Sequence, residues 1–553
     1  MSFTPFIVED SRINDITPKL DYAVYRGASS NNFQSYTSNS ASGSSISFNI
    51  QPPSESTIIS REVMIETIIK FQIEITNVPS GNKAFSYGFN DSFQAFPMNS
   101  LISSANVTIN NTNISSNLQD TKDLILKCIP PKALGKYQST CPTMVDSFYK
   151  YYGDGGNNSE LNGFVQSSYD KYLQPRGCHP LRSYAVQHFV GGILIDDSIV
   201  STSLTDRWVI SLETKTTEPL LISPFIFGPP NVGSQMGLYG INHIEIILNI
   251  DATLKRFWSS KNSNYQYTLR LDQQNPFTSN ILLNYLTPQP DNQIEAKNVV
   301  PYLLYPRYIT PISNTSSIAP GQSTIISCQN IQLSKIPDLL LVVARKAISN
   351  QNCFDSASFL PIKNVSINFN NQSALLATAT QQDLYKISLH NGIQQTYYEW
   401  SGYASTFDFL STNGAPNTVP TVGSVLALNP ALDLSLDPTL ANGSAGSFNL
   451  QINLGVENNG TDSITPEVCI VAVTSGLLTT LAGNSSLNSG FLTAETVLEA
   501  SKAPKWSRVF MERKIGGGIF STIGRHLKGI SSDTKKTKEE PPTVRKKLVS
   551  YIK

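Results

Sequence analysis

Residues that could carry out chemistry are few and scattered in this chain. Its five histidines never form an HxH or HxxxH pair, which is the short spacing that zinc sites commonly use. They are His179, His188, His243, His390 and His526. The sequence therefore predicts no metal site and no cofactor.

A cysteine next to histidines is the strongest candidate for nucleophilic catalysis. The segment GCHPLRSYAVQH brings Cys178, His179 and His188 close together along the chain. A thiol and its base must also meet in space, which this spacing does not establish. Asp196 and Asp197 could form a carboxylate pair or a cation site, but adjacent strand residues point to opposite faces, so a turn is favoured. We expect no catalytic residue and no enzymatic activity.

Two further segments have alternative interpretations. YYGDGGNN contains Gly and Asp but lacks the lysine and the following helix of a phosphate-binding loop, so a turn is favoured. TYYEWSGY, around Trp400, could form an aromatic platform for a sugar. Buried packing is the more frequent role of such a cluster.

Length and composition indicate two large domains with weakly charged surfaces. The chain has 553 residues, and single cores stop growing near about 250–300 residues. Charged residues make up 15%, below the roughly 25% usual in soluble domains. Burying hydroxyls and amides costs less than burying ions, so this composition suits contacts between subunits, although it also suits a secreted adhesin.

Targeting and redox signals favour a chain that is made in the cytosol and is soluble when made. The N-terminal segment MSFTPFIVEDSRIND lacks a basic leader and an apolar core, so secretion by that route is not expected. No apolar run approaches the about 18 residues needed to cross a bilayer. The six cysteines are far apart and form no CxxC pair, which favours reduced thiols.

Alternation of apolar and polar residues predicts an all-β protein. From Val63 to Ile75 every second residue is apolar or Thr, and Glu66, Lys70, Gln72 and Glu74 lie on the other face, which is the pattern of a long half-buried strand. Short β-branched runs separated by Gly, Pro, Asn and Asp continue along the chain, including QQDLYKISLHNG in its second half. LQDTKDLILKCI is the best short helix candidate. The sequence predicts antiparallel sandwiches or barrels.

A strand sequence flanked by asparagines occurs twice in the chain. NVTINN begins at Asn106 and NVSINFNN begins at Asn364, and we align Asn106–Asn110 with Asn364–Asn368. An Asp-Leu pair follows each strand, at Asp123 and Asp383. Because several such matches occur in the same order, two copies of one β fold explain them better than chance.

These blocks resemble a known family. The tandem arrangement, a small-polar N-terminal segment and the segments IPDLLLVVARK and NVSINFNN are similar to the double-jelly-roll major capsid proteins of the adenovirus, virophage and polinton-like lineage of double-stranded DNA viruses. QPPSESTIISREV, AFPMNSLISSANVTINN and YQSTCPTMVDSFYKYYGD look most like the small polinton-like members. The resemblance covers about residues 46–485.

The resemblance implies a fold of two tandem jelly-roll β-sandwiches with a flexible N-terminal arm and a basic C-terminal tail. The expected division is an arm at 1–45, a first jelly roll at 46–290, a linker at 291–300, a second jelly roll at 301–485 and a tail at 486–553. Loops at about 140–180 and 391–423 would form outer towers.

The resemblance also implies a function. The chain would be a major capsid protein that forms homotrimeric, pseudo-hexameric capsomers of an icosahedral shell. Its partners would be itself, neighbouring capsomers, and penton and minor capsid proteins. It would reside in the virion after synthesis in the host cytoplasm or nucleus. A β-sandwich receptor- or carbohydrate-binding fibre protein is the alternative, and a two-domain jelly-roll hydrolase would need a cluster of carboxylates or metal ligands that the sequence does not offer.

The C-terminal tail differs in charge from the rest of the chain. After residue 500 the chain has 14 of its 41 basic residues but only 4 of its 41 acidic residues, so the tail carries a net charge of +10 and the body −10. Such a segment is typical of contact with a polyanion or an anionic membrane, here DNA or membrane. The candidate polyanion-binding residues are Arg525, Lys528, Lys535, Lys536, Arg545, Lys546 and Lys547.

Two further features are predicted in the tail. At helical spacing one stripe of apolar residues forms a candidate membrane- or partner-binding helix, which consists of Ile519, Phe520, Ile523, Leu527 and Ile530. The preceding Ile515, Gly516, Gly517 and Gly518 are similar to the site cut by adenovirus-type maturation proteases, which would make a viral protease a further partner. Cleavage before Ile519 would release 35 residues, and a flexible glycine hinge is the alternative.

Overall fold

The structure is a computed structural model that describes residues 4–8, 22–26, 30–88, 90–150, 179–195, 199–225, 237–251, 253–287, 296–406, 417–437 and 439–488. Helices and strands alternate with turns through both halves of these residues. The strands of the first half are β1 (Thr4–Val8), β2 (Tyr22–Arg26), β3 (Ser30–Thr37), β4 (Ser40–Ala41), β5 (Ser45–Ile50), β6 (Ile58–Ile59), β7 (Met64–Thr76), β8 (Asp91–Phe93), β9 (Ile102–Ile109), β10 (Thr112–Ser116), β11 (Arg182–Val190), β12 (Ile193–Ile195), β13 (Arg207–Pro219), β14 (Ile244–Ile250), β15 (Trp258–Ser260), β16 (Gln266–Leu271) and β17 (Phe277–Thr287). Its helices are α1 (Pro97–Leu101), α2 (Leu118–Lys127) and α3 (Pro131–Leu134), with a 3-10 turn at Gly135–Tyr137.

The second half has the same character. Its strands are β18 (Lys297–Leu304), β19 (Arg307–Thr310), β20 (Ser323–Ser327), β21 (Ile331–Lys335), β22 (Leu339–Lys346), β23 (Ile362–Phe369), β24 (Gln372–Leu375), β25 (Tyr403–Thr406), β26 (Asn417–Pro420), β27 (Leu426–Leu428), β28 (Ala445–Glu457), β29 (Pro466–Leu481) and β30 (Asn484–Asn488). Its helices are α4 (Gln381–His390), α5 (Tyr397–Ser401) and α6 (Pro430–Asp433), with 3-10 turns at Ile312–Asn314 and Ile348–Asn350.

Each half folds into a sandwich of two antiparallel sheets, and the two halves share one strand order. In the first sandwich the sheets run β3-β17-β7-β13 and β5-β14-β9-β10. In the second they run β18/β19-β29-β22-β27 and β20/β21-β28-β23-β24. The eight strands named for each sandwich can be numbered 1 to 8 along the chain, with β18/β19 and β20/β21 each counted as one strand. Both sandwiches then have the sheet orders 1-8-3-6 and 2-7-4-5, which is the order of a jelly roll. The predicted all-β double jelly roll is confirmed.

The sandwich cores come from the inward face of each strand. In β7 the residues alternate strictly between buried and half-buried, and Ile65, Ile69 and Ile73 are fully enclosed in the first core. This confirms the strand predicted from Val63 to Ile75. Its other face carries Glu66 and Lys70, which keep access to solvent.

Pairing of β3 changes the N-terminal boundary. Ser30–Thr37 lies inside the predicted flexible arm, yet it pairs with β17 from Asn280 to Thr287. Its polar side chains are almost all exposed, so composition gave no sign of a strand that is held by backbone hydrogen bonds. In the same way β18, which begins within the predicted linker, pairs with β29 from Lys297 onward.

The segment QQDLYKISLHNG forms helix α4, whereas its apolar residues had suggested continuation of the strand pattern. Thr380 caps the helix, because its hydroxyl accepts from the Asp383 backbone amide while the Asp383 carboxylate accepts from Thr380. This reciprocal capping box stabilises the first turn. The predicted helix in LQDTKDLILKCI is confirmed as α2.

The repeated asparagines occupy equivalent hairpin turns. Two-residue loops join β9 to β10 and β23 to β24, and they begin at Asn110 and Asn370, with φ of 52° and 51°. The Asn110 side chain accepts from the Asn242 amide at 2.9 Å, and the Asn370 side chain accepts from the Asn449 amide at 2.8 Å. Asparagine is one of the few residues that tolerates this left-handed backbone.

These turns correct the alignment of the two copies. Asn110 is equivalent to Asn370, an offset of 260, whereas matching Asn106 with Asn364 gave 258. A shift of two residues leaves every side chain on the same face, so the apolar pattern could not detect it. The helices also correct the match of the Asp-Leu pairs. Asp120, and not Asp123, is equivalent to Asp383, because each is the third residue of its helix.

We expect Asn370→Ala to lower the free energy of unfolding by about 2 kcal/mol, because alanine disfavours positive φ and removes the bond to Asn449. Asn370→Gly should cost about half as much, since glycine keeps the backbone conformation but loses the bond. Urea unfolding measures both. Asn371→Ala is the matched control in the same turn, and equal losses at both positions would contradict this explanation.

Candidate functional site: the contact between the two sandwiches

Helix α2 lies between the two sandwiches and fixes how they sit side by side. All of its residues except Gln119 are buried, including charged ones. Leu118, Ile125 and Leu126 pack into the first core. Leu124 and the adjoining Cys128 face away and contact the second sandwich. The helix therefore serves two cores.

The surface that receives α2 is the outer face of the β22-β27-β29 sheet. Inner-face residues of β22, such as Leu340 and Val342, belong to the second core. The outer face forms a separate cluster with Leu124 and Cys128, which includes Leu339, Leu341, Val343, Val425, Ala427, Cys469, Val471 and Val473. Both faces of β22 are thus buried, which explains why LLLVVARK is a continuous apolar run. Each enclosed aliphatic side chain contributes about 1.5–3 kcal/mol.

A buried ion cluster borders this apolar contact. The Asp120 carboxylate, 3% exposed, accepts from the guanidinium groups of Arg307 and Arg345 in the second sandwich. Arg345 Nε also donates to Glu467 Oε1 at 2.9 Å. Burial by itself would lower the pKa of Arg345, but the facing acidic groups raise it above its usual value. The first sandwich therefore supplies the anion that two arginines of the second require.

Asp123 binds a cation from its own sandwich. Its carboxylate pairs with Arg256 and lies 3.3 Å from Lys122 Nζ. Burial, followed by repulsion from Arg345, lowers the pKa of Arg256 to about 10. The contact between the sandwiches thus contains buried, paired acidic and basic groups. Removing Asp120 or Arg345 takes a partner away from groups that stay buried.

A second connection joins the bases of the two predicted tower loops. Phe148 forms a β-bridge with Thr421, and its carbonyl accepts from the Ser356 hydroxyl at 2.8 Å. Tyr149 enters the second core, where a Cβ on Gly460 would lie 2.2 Å from its ring. Of these loops, residues 151–178 and 407–416 lie outside the described residues, while the rest of the second loop contains α5, β25 and β26.

A third connection is made by β29 and β30 of the second sandwich, which contact the first sandwich. Ser485 donates its backbone amide to Asn111 Oδ1 at 2.8 Å, beside the first asparagine turn. The Ser485 hydroxyl contacts Thr112 Oγ1 at 2.7 Å, and Thr480 donates to the Tyr239 carbonyl at 2.5 Å. Three separate contacts therefore hold the sandwiches in one orientation.

The histidines predicted as candidates have structural roles. His179 is buried and its Nε2 lies 3.1 Å from the Lys215 carbonyl, while burial lowers its pKa to about 4. His188 stacks on Trp208 with ring centroids 3.9 Å apart and pairs with Asp206 at 3.0 Å. Each imidazole thus has its own partner within the first sandwich.

Other sequence candidates are placed as follows. Trp400 is fully buried and donates to the Val425 carbonyl at 2.9 Å, which confirms the packing interpretation over the sugar platform. Cys178, Asp196, Asp197 and YYGDGGNN lie outside the described residues, as do the tail residues 515–519, 520, 523, 525, 527, 528, 530, 535, 536 and 545–547.

The described ranges contain neither a metal-binding cluster nor a membrane-spanning helix. Among those residues there is no group of three or more His, Cys, Asp or Glu placed to hold a metal ion. None of the helices there has the length and hydropathy to span a membrane. Five cysteines are buried free thiols: Cys128, Cys141, Cys328, Cys353 and Cys469.

Sequence reasoning missed the residues of the ion cluster. Asp120, Arg307 and Arg345 are far apart in the chain and match no motif. One signal was present, since Arg345 and Lys346 end an apolar run that is too continuous for a sheet exposed on one side. That run indicated a face covered by another element, although not which one.

We expect Asp120→Asn to lower the free energy of unfolding by about 3 kcal/mol, because Arg345, which is 4% exposed, would lose one of its two carboxylate partners, and the half-buried Arg307 would lose its bond to Asp120. Urea unfolding followed by circular dichroism measures this. Asp437→Asn, at an exposed carboxylate whose bonds go to Thr439 in its own turn, is the control and should change little. Equal behaviour of the two variants would rule out a structural role for the cluster.

Comparisons with known proteins agree with this geometry. Residues 2–284 match the family model described as Sputnik virophage major capsid protein 1st domain, and residues 305–476 match Major capsid protein V20 C-terminal domain. The putative capsid protein V20 of Sputnik virophage is 26% identical over 540 residues, covering 94% of this chain and 85% of the relative.

Two solved structures share the fold. A chain of the 3.5 Å cryo-EM structure of the Sputnik virophage has a TM-score of 0.74 at 23% identity, over 91% of this chain and 97% of that one. The crystal structure of the mavirus major capsid protein has a TM-score of 0.65 at 16% identity, over 85% and 92%. With the family model matching more than half of its length, this chain belongs to the Sputnik virophage major capsid protein family, a family of viral structural proteins.

Proposed function

We propose that this capsid protein works as a homotrimer in which six sandwiches form a pseudo-sixfold ring. The observation that carries the proposal is the matching strand order of the two sandwiches, 1-8-3-6 and 2-7-4-5 in both. Three such chains would present six similar walls. A capsomer of that shape can tile a hexagonal lattice and, with other components at the vertices, close an icosahedral shell.

The contact within the chain supports a ring. It is head-to-tail, because a helix of the first sandwich packs on a sheet face of the second. Repeating a contact of this kind generates a ring when the rotation closes, and a filament when it does not. Since the three connections fix the rotation within the chain, the preferred angle is built into each subunit.

The proposed partners are copies of this chain within and between capsomers, together with penton and minor capsid proteins in the virion. The low charge of the chain, 15% of residues, supports extensive contacts, since each ion buried at an interface needs a partner. Synthesis in the host cytoplasm or nucleus precedes assembly. The alternative of a sugar-binding fibre loses its main candidate platform, because Trp400 is enclosed.

The expected species in solution is a trimer of about three times 60.6 kDa. Light scattering coupled to size exclusion measures its mass, and electron microscopy of concentrated samples should show hexagonal arrays. Asp120→Asn provides an informative comparison, since loosening the two sandwiches should reduce array order. A monodisperse monomer over the micromolar range would contradict the proposal.

The proposal extends to the tail on sequence grounds. Cleavage before Ile519 by a viral maturation protease would release a basic peptide of 35 residues that meets DNA or an anionic membrane. Mass spectrometry of the capsid chain from purified particles should then give a chain of 518 residues. Replacing Gly516 and Gly517 by valine should leave 553 residues, because bulky side chains block a narrow protease cleft. Full-length chain in mature particles would contradict cleavage.

A further inference from the structure

Helices α2 and α4 are equivalent elements in different surroundings. Helix α2 lies between β10 and β13, and α4 lies between β24 and β27, which are strands 5 and 6 of the jelly-roll order in each sandwich. Each is ten residues long and has Asp as its third residue, Asp120 in α2 and Asp383 in α4. The fourth and eighth residues of both helices are buried against their own sandwich, as Leu384 and Ser388 show in α4.

The outward positions differ sharply. In α2 the third residue, Asp120, is buried against Arg307 and Arg345 of the second sandwich, and the seventh, Leu124, packs on the sheet of that sandwich. In α4 the side chains at the third and sixth positions, Asp383 and Lys386, are 51% and 65% exposed. Leu389 at the ninth position is 48% exposed, and His390 follows it on the surface. The third position of the same element is thus enclosed in one sandwich and open in the other, where α4 also exposes Leu389.

The outer sheet faces of the two sandwiches differ in the opposite sense, since the face of the second sandwich is covered and that of the first is exposed. The outer face of β22, β27 and β29 is enclosed by α2. The equivalent face of the first sandwich, on β7 and β13, is open: Lys70 is 37% exposed and Lys215 is 58% exposed. Lys215 is paired in register with Ile68, which is half-buried between these charged side chains.

Both open surfaces carry acidic and basic side chains. On the sheet, Lys70 lies 3.5 Å from Glu213 and Lys215 lies 2.8 Å from Glu66. On the helix, Asp383 Oδ1 lies 3.7 Å from Lys386 Nζ, and Leu389 lies one turn beyond Lys386. In the intrachain contact, the equivalent Asp120 binds cations of the facing sheet.

We propose that the outward side of α4 docks on the outer β7-β13 face of the first sandwich in a second copy of this chain. The inference rests on the proposed trimer and specifies its contact. Asp383 would meet the Lys70 and Lys215 side chains, and Leu389 would pack over Ile68. Each chain then offers one helix and one sheet face, so three copies use all of both.

Two single substitutions test the two surfaces separately. Leu389→Glu places a charge in the apolar part of the helix surface, and Lys215→Glu reverses the charge of the sheet surface. Each should raise the concentration at which half the chains are trimeric by about tenfold or more, measured by analytical ultracentrifugation. Leu432→Glu, at a leucine of the second sandwich that is 72% exposed on α6, is the control and should assemble as the parent does.

Mixing the two variants tests the direction of the contact. One intact pairing remains, between α4 of the Lys215→Glu chain and the sheet of the Leu389→Glu chain. We expect 1:1 heterodimers by native mass spectrometry and no mixed trimer, since the ring cannot close. Circular dichroism and melting temperature confirm folding, and His390→Glu supplies the same test if Leu389→Glu does not fold.

The outcomes separate this contact from the trimer itself. A trimeric parent whose Leu389→Glu and Lys215→Glu variants assemble like the Leu432→Glu control would keep the trimer and overturn this contact. Homodimers of either variant would also overturn it, because a two-fold contact would use one surface twice. A monomeric parent would overturn both.

Discussion

Enclosure of a charged helix between two sandwiches is the constraint on which the rest of the structure depends. The Asp120 carboxylate is 3% exposed, and its burial is tolerable because Arg307 and Arg345 reach it from the other sandwich. The first sandwich alone could not bury Asp120 without those partners. The two halves are therefore bound to one relative position, and a wrong rotation would leave ions without partners.

This constraint fixes the angle between the two sandwiches, which a capsid subunit needs. Apolar contact alone would allow the sandwiches to slide, since aliphatic side chains repack with modest losses. The ion cluster, the bridge at Phe148 and the return contact of Ser485 act at separate points and together define an angle. A shell built from many copies requires such an angle, because small errors accumulate around a ring.

Duplication also explains why equivalent elements look different. Strand β7 alternates because one of its faces meets charged side chains and solvent, while β22 is apolar on both faces because α2 covers it. Helix α2 has buried charges, and α4 has an exposed leucine. Each copy kept the same strand order and hairpin turns, and the differences follow from which neighbour each face meets.

The sequence by itself determined the all-β class, the two units, the alternating strand through Ile69 and helix α2, because local periodicity records which face is buried. It also supported the family through contiguous blocks of residues. The two-residue offset between the asparagine turns, the strand β3 in a polar segment and the ion cluster around Asp120 were decided only by the tertiary structure. These depend on partners hundreds of residues away, and a shift of two residues or a backbone pairing leaves the apolar pattern unchanged.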